Sequence, residues 1–350
     1  MKRALNSPFK RSKQAGAALL TAMIIVTLVA SLASAMVWRQ YRAVQIEAAE
    51  RARAQAAWIL QGSLDWARLI LREDAIENQR VAARGEQPMD HLGEVWAVPL
   101  AEARLSTFLA AEKSNAEDGP EAFLSGSLED AQARYNLRNL LSAGPLPALE
   151  KRVLERLCTS ASAPPGTADL IIKQLRAAFD VPSSPQGGAS APNPGPATAS
   201  NSTEADKGEA PLQPKTLDQM TWLGLSLDTV ERLRPLLILL PSPTPVNLNT
   251  APRDVIAALF DNMDLASAER LVQARQSNPL KTIQDAAAYF PPNVVLSADR
   301  AATTSSFFIV KGRLRLEERV LEERSLIQRR GRDMVVLDRQ RVSQSTDGKP

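Results

Sequence analysis

The sequence predicts an α+β protein with a long N-terminal transmembrane helix, a small antiparallel sheet and a large all-helical insertion domain. Three observations carry that expectation. An unbroken apolar stretch near the N-terminus runs directly into an equally unbroken helix-forming one. Polar/apolar alternation marks two places far apart, around residues 124–136 and over 307–342, and helical spacing fills the chain between them. Strands at both ends of the soluble part with helices in the middle describe a sheet interrupted by an insertion.

The first element is AALLTAMIIVTLVASLASAMV, residues 17–37, 21 uncharged and mostly apolar positions. As a helix rising ~1.5 Å per residue it spans ~30 Å, the thickness of one hydrocarbon core. Lys2, Arg3, Lys10, Arg11 and Lys13 precede it without an acidic residue. They keep the N-terminus cytoplasmic and send the chain from Trp38 onward across the membrane. The same five charges explain the formal net charge of +3: without them 37 of the 42 basic residues remain to face 39 acidic ones. The basicity thus belongs to the leader and not to a nucleic-acid-binding surface.

Three fates compete for this segment. A plain anchor needs nothing special at Gly16, and a secretory signal would be cut after Ala33-Ser34-Ala35 to release Met36. A prepilin-type leader would be cut on the cytoplasmic side after Gly16, leaving Ala17 as the new terminus and keeping the apolar helix. Neither Gly nor Pro occurs from Ala17 to Gln61, so helical periodicity runs straight through Ala35 where a signal peptidase wants extended chain. That favours the prepilin-type cut.

The helix is expected to continue to about residue 78, with Trp58, Leu64, Trp66, Leu69 and Ile70 as its apolar stripe and both tryptophans in the core. SLEDAQARYNLRNLL (127–141) opens with alternation, so a strand is expected around 124–136, and 145–180 reads as helix interrupted at Pro164-Pro165. Pro, Gly, Ser, Ala and Asn dominate 181–214, which has almost nothing to bury and reads as a disordered linker. Two short helices are expected over 217–241 and a run of short helices over 246–290, where Thr250 is the expected N-cap and Pro252 sits near the first turn. FFIVKGRLRLEERVLEE (307–323) and SLIQRRGRDMVVLDRQRV (325–342) read as strands, the second turning near Gly331.

Catalytic chemistry finds little support. His91 is the one histidine, which excludes a multi-histidine metal site and reads as a capping or exposed residue; Cys158 is the one cysteine and lies on an apolar helix face. No phosphate loop or dinucleotide fingerprint is present. The acidic stretch AEDGPEA (116–122), with Glu129 and Asp130 downstream, lacks the spacing of a calcium loop and reads as a solvated turn. Residues 246–290 resemble a helix-hairpin-helix module, the basis of an alternative reading as a membrane-anchored DNA-binding protein. Their turn FDNMDLASAERL (260–271) has no glycine and three acids before Arg270, which makes a poor phosphate grip.

Taken in order along the chain, AGAALLTAMIIV, DHLGEVWAVPL, EDAQARYNLRNLL, LRPLLILLPSPTPVNLNTAPRDVIAAL and SSFFIVKGRLRL resemble the minor pseudopilin K family of bacterial type II secretion. The resemblance implies cleavage and N-methylation by prepilin peptidase, after Gly16 and on Ala17. It also implies residence in the inner membrane with a periplasmic C-terminal domain. Its partners would be minor pseudopilins I and J and other pseudopilins, at a pseudopilus tip that helps initiate assembly and protein export. Pilin-like chains carry a glutamate at the fifth mature position, where it neutralises the amine of the subunit already in the fibre; here that position is Thr21. A subunit without that carboxylate has no such charge to pair when it docks beneath another and fits best at the tip.

The expected organisation is a leader at 1–16, an N-terminal helix over 17–78 with 17–38 in the membrane, a pilin-like domain from 79–140 with 301–342, and a helical insertion over 141–300. The family is associated with calcium through an aspartate-rich stretch, whose place here is taken by the linker 181–214. No calcium ligand, other cofactor or nucleic-acid partner is therefore assigned.

Overall fold

The computed structural model describes residues 17–105, 122–142, 144–181, 211–316 and 319–342. The leader with Gly16, nearly all of the acidic stretch 116–122 and of the linker 181–214, and the C-terminal DGKP lie outside the described residues. The chain divides into two compact units, Met1–Ile59 and Leu60–Pro350.

Helix α1 comprises Ala17–Ala83, running past the expected end at 78. In the first unit its large apolar side chains, Leu19 through Val37, are all exposed. It is the one helix among the described residues long and apolar enough to cross a membrane, with mean hydropathy 2.3 in its most apolar window.

In the second unit the remaining turns of α1 lie on a five-stranded antiparallel sheet. Its strands are β1 (Leu100–Arg104), β2 (Ala122–Asp130), β7 (Phe307–Leu316), β8 (Arg319–Arg330) and β9 (Asp333–Val342), in spatial order 1-2-7-8-9. Leu64, Ala67, Leu71 and Ala75, spaced three and four apart, form one buried stripe against Trp96, Phe308, Val310 and Ile327. The expected stripe is corrected here: Trp58 and Trp66 are 76% and 48% exposed, and Leu69 is exposed too. Leu64 belongs to the expected stripe and to the observed one, and half-buried Ile70 packs against the observed one. Trp66 and Leu69 lie between about a quarter and a half turn away from the small residues Ala67 and Ala75, which let the backbone approach the sheet.

Strand β7 explains its own sequence. Phe307 and Ile309 pack with Ala131, Ile238 and Leu240 on one face, while Phe308 and Val310 pack beneath α1 on the other, so FFIV is a continuous apolar run. Beyond it one face opens, and KGRLRL alternates buried positions with half-buried Lys311 and Arg315 and exposed Arg313. Gly331 has φ 60° at the first position of the two-residue turn from β8 to β9, the place that a type II′ hairpin turn reserves for glycine. The strand expected to reach 136 stops at Asp130, whose carboxylate accepts from the Gln132 amide at 2.7 Å and turns the chain into a 3-10 segment.

Between β2 and β7 the chain makes a helical layer: α2 (Ala148–Ser160), α3 (Thr167–Ala178), α4 (Leu227–Leu233), α5 (Arg253–Leu259) and α6 (Leu265–Ser277), with 3-10 turns including Leu217–Leu223. The break between α2 and α3 falls at Pro164-Pro165 as expected, with Gly166 at φ 83° starting α3. Two short parallel pairs clip the layer together. β3 (Tyr135–Asn136) pairs with β4 (Leu237–Ile238), and β5 (Val246–Asn247) pairs with β6 (Ala301–Ala302). The second of the two helices expected over 217–241 thus ends at Leu233, and the apolar run after it is extended. Thr250 does not cap α5; that position belongs to Pro252, because the Thr250 hydroxyl is committed to Asp130.

Candidate functional site

Three places carry polar chemistry or bear on the sequence expectations, and each has its own character. The first is the start of α1. Ala17 is its first residue, and the Thr21 hydroxyl donates to the carbonyls of Ala17 at 3.0 Å and Ala18 at 2.9 Å. Thr27 and Ser31 do the same to Ile24 and Thr27. Three of the four hydroxyl side chains of residues 17–37 are thus satisfied by their own helix, and the surface the segment offers carries no charge.

The second is a buried polar knot that joins α1, the 90–97 segment, the sheet and the helical layer. Arg329 on β8 donates to Asp74 of α1 at 2.5 Å, to Asp90, and to the Ser305 carbonyl at 2.5 Å, while stacking 5.0 Å over Phe308. Fully buried Asp90 accepts in addition from the Ser305 amide at 2.5 Å and from Asn78 at 3.1 Å. Asn247 of β5 donates to the Asp90 carbonyl, to Asp130 and to the Ser305 hydroxyl, at 3.1, 3.0 and 3.0 Å. Asp130 accepts also from Thr250 at 2.5 Å and Ser305 at 2.6 Å. Burial pushes the Asp130 carboxyl up, since its partners are neutral donors.

Asp74, Asp90 and Glu94 bring carboxylate oxygens within 4.8 Å of one another, the one such group of three metal-ligating side chains among the described residues. Calcium fits it badly. The ion takes roughly six to eight oxygens, whereas Arg329 already holds Asp74 and Asp90, and Glu94 Oε2 accepts from the Trp96 indole and the His91 amide. The guanidinium is the cation of this cluster. His91 caps locally, its Nδ1 accepting from the Gly93 amide at 3.1 Å.

Burial, reinforced by neighbouring carboxylates, raises Glu94 to about 7 and Asp74 to about 6. A carboxyl whose folded pKa lies above its unfolded one binds its proton more tightly in the folded state. Its contribution is therefore fully present below the ordinary carboxylate range and is lost as pH rises through the folded value. The protein is expected to lose stability between about pH 4 and pH 7. Glu94→Gln, which keeps the acceptor for Trp96, should match the wild type at pH 5 and exceed it by ~1 kcal/mol at pH 8, after allowance for solvent screening. Denaturant unfolding at the two pH values checks this, and a constant difference would contradict it.

The third place is the α5–α6 hairpin. Asn262 takes φ 61° in the turn, supplying the left-handed residue that a glycine would otherwise provide. Asp261 is gripped by Arg152 and Arg156, each at 2.5 Å, which hold it at about 2. Asp264 caps α6 by accepting from the Ser267 amide at 2.6 Å. Two carboxylates thus stand where a phosphate would need bare backbone amides, and the turn is spent on binding α2.

Sequence reading locates Ala17, Thr21 and the acid-rich turn but misses the Arg329 knot. Asp74, Asp90, Asp130, Asn247 and Arg329 are scattered over the second unit, and the one local clue is a polar Asn and Thr inside VNLNTA, where the neighbours are apolar.

Two family models described as type II secretion system (T2SS), protein K match residues 133–242 and 246–299. Among curated relatives, type II secretion system protein K of Pseudomonas aeruginosa is 28% identical over 266 residues, covering 76% of this chain and 73% of the relative. The Klebsiella pneumoniae protein of that description is 27% identical over 357 residues, covering 93% and 96%. The fold is similar to a chain in the crystal structure of the GspK-GspI-GspJ complex of enterotoxigenic Escherichia coli. The TM-score is 0.60 at 19% identity, covering 85% of this chain and 99% of that one.

Proposed function

From the premise that this chain belongs to the type II secretion system protein K family, we propose that it is a non-enzymatic minor pseudopilin at the pseudopilus tip, where it helps initiate assembly and protein export. Prepilin peptidase would cut after Gly16 and methylate Ala17. The helix 17–38 would wait in the inner membrane, N-terminus cytoplasmic and the remaining chain periplasmic, until it enters the fibre. Minor pseudopilins I and J would be its immediate partners, by analogy with the GspK-GspI-GspJ complex of E. coli, and other pseudopilins would follow beneath.

One observation carries the reading: an exposed, wholly uncharged helix whose fifth residue counted from Ala17 is Thr21, with its hydroxyl already donated to Ala17 and Ala18. Such a helix has no carboxylate with which to receive the amine of a subunit ahead of it. A position with no subunit ahead suits it.

The test is the mature amino terminus, read by intact mass and N-terminal peptide mass spectrometry on membranes from cells with and without prepilin peptidase. The expected product is N-methylated Ala17, absent from the peptidase-deficient strain. A start at Met36 would mean a released protein without a fibre helix and would end this proposal.

A further inference from the structure

A cleft of about 100 Å³ lies between the sheet and the start of the 3-10 turn Leu217–Leu223, away from the Arg329 knot. Lys215, Thr216, Arg234 and Arg324 contribute to its walls. Side-chain donors this deep are almost always satisfied. Yet the Nε of Arg324 and the hydroxyl of Thr216 are two of the three buried side-chain polar atoms without a hydrogen-bond partner among the described residues. Both belong to this one cleft.

The charges there are unequal. Arg134, at the same cleft, is taken by Glu129 at 2.5 Å, and Arg234 is taken by Asp218 at 2.5 Å and Glu231 at 2.7 Å. Asp338 accepts from Gln340 at 2.9 Å. Arg324 and Lys215 make no ion pair among the described residues, and the walls carry four basic side chains against the carboxylates of Asp218 and Asp338. Leu217, Ile309 and Leu326 line the same space with hydrocarbon. A fully hydrated inorganic anion gains nothing from such walls, whereas a carboxylate on a short aliphatic stem satisfies both the donors and the walls.

We propose that this cleft is a receptor for an acidic side chain of another protein, glutamate by size. The carboxylate would accept from Arg324 and Thr216, with Lys215 at the exposed rim and the methylenes against Leu217 and Leu326. The inference stands apart from the pilin-type reading, so its failure would leave the mature terminus at Ala17 untouched.

The experiment uses the full chain in non-ionic detergent micelles and follows the thermal unfolding midpoint at fixed ionic strength. The probes are N-acetylglutamate N-methylamide, glutarate and inorganic phosphate, each set against sodium chloride. The blocked glutamate and glutarate are expected to raise the midpoint saturably, while phosphate does no more than chloride. The rise should be lost in Arg324→Gln and kept in Arg313→Gln, an exposed arginine outside the cleft. Lys215→Gln at the rim weakens it and serves in place of Arg324→Gln if that variant does not fold. Blocked glutamate acting only as chloride does, or Arg324→Gln responding like the wild type, overturns the proposal. A response to glutarate alone overturns the protein source, and phosphate equal to glutarate overturns the carboxylate assignment.

Discussion

Arg329→Met is expected to cost ~3–5 kcal/mol of stability at pH 7.5, because it leaves a buried carboxylate pair without its cation. Arg329 is the one charge that Asp74 and Asp90 share, and it also closes on the Ser305 carbonyl. Methionine fills much of the same volume and stays over Phe308, so the loss reports the charge and its hydrogen bonds and not a cavity. The deficit should shrink toward pH 5. Asp74 already protonates at about 6 through burial and the charge of Asp90, and removing the guanidinium raises it further. Denaturant unfolding of the full chain in detergent, at pH 7.5 and pH 5, decides the matter. A deficit of the same size at both would mean that the arginine acts by packing.

Thr21→Glu should lower export through this system roughly a hundredfold at limiting expression, while Thr21→Val stays within about twofold of the wild type. A carboxylate at this depth in hydrocarbon costs ~2.5–3.5 kcal/mol unless a partner neutralises it. If the chain sits at the tip, no subunit above it presents an amine. Threonine avoids the cost because its hydroxyl is returned to the carbonyls of Ala17 and Ala18. The measurement is secreted substrate from cells complemented with each variant, with the mature terminus checked so that a processing defect is not mistaken for an assembly defect. Wild-type export by Thr21→Glu would remove the physical basis for a tip position.

What can be read from the sequence follows local periodicity. The alternation of KGRLRL, the helical spacing of α2 and α3 and their break at Pro164-Pro165 are each set by neighbours within a few residues. The tryptophan stripe misleads because size is a poor sign of burial on this helix. At 60–75 the sheet is met by Leu64, Ala67, Leu71 and Ala75, and small residues at a contact are invisible to a search for large ones. Thr250 carries the composition of a cap, but Asp130 lies 120 residues earlier and claims its hydroxyl. The Arg329 knot is hidden for the same reason, since no window of sequence contains two of its charged partners with the arginine. The cleft at Arg324 follows suit, its walls coming from residues 134, 215–218, 234 and 324.

The strand order 1-2-7-8-9 has a consequence for the order of folding. β2 finds its partner β7 only after the whole helical layer has emerged, so a chain delivered N-terminus first to the compartment where it folds carries an open sheet edge through that interval. β7, β8 and β9 follow one another with two residues between each and pair with their sequence neighbours, so they assemble quickly once made. The two parallel clips of the helical layer, by contrast, are complete by residue 302. The inserted helices can thus be in place before the sheet that carries them is whole.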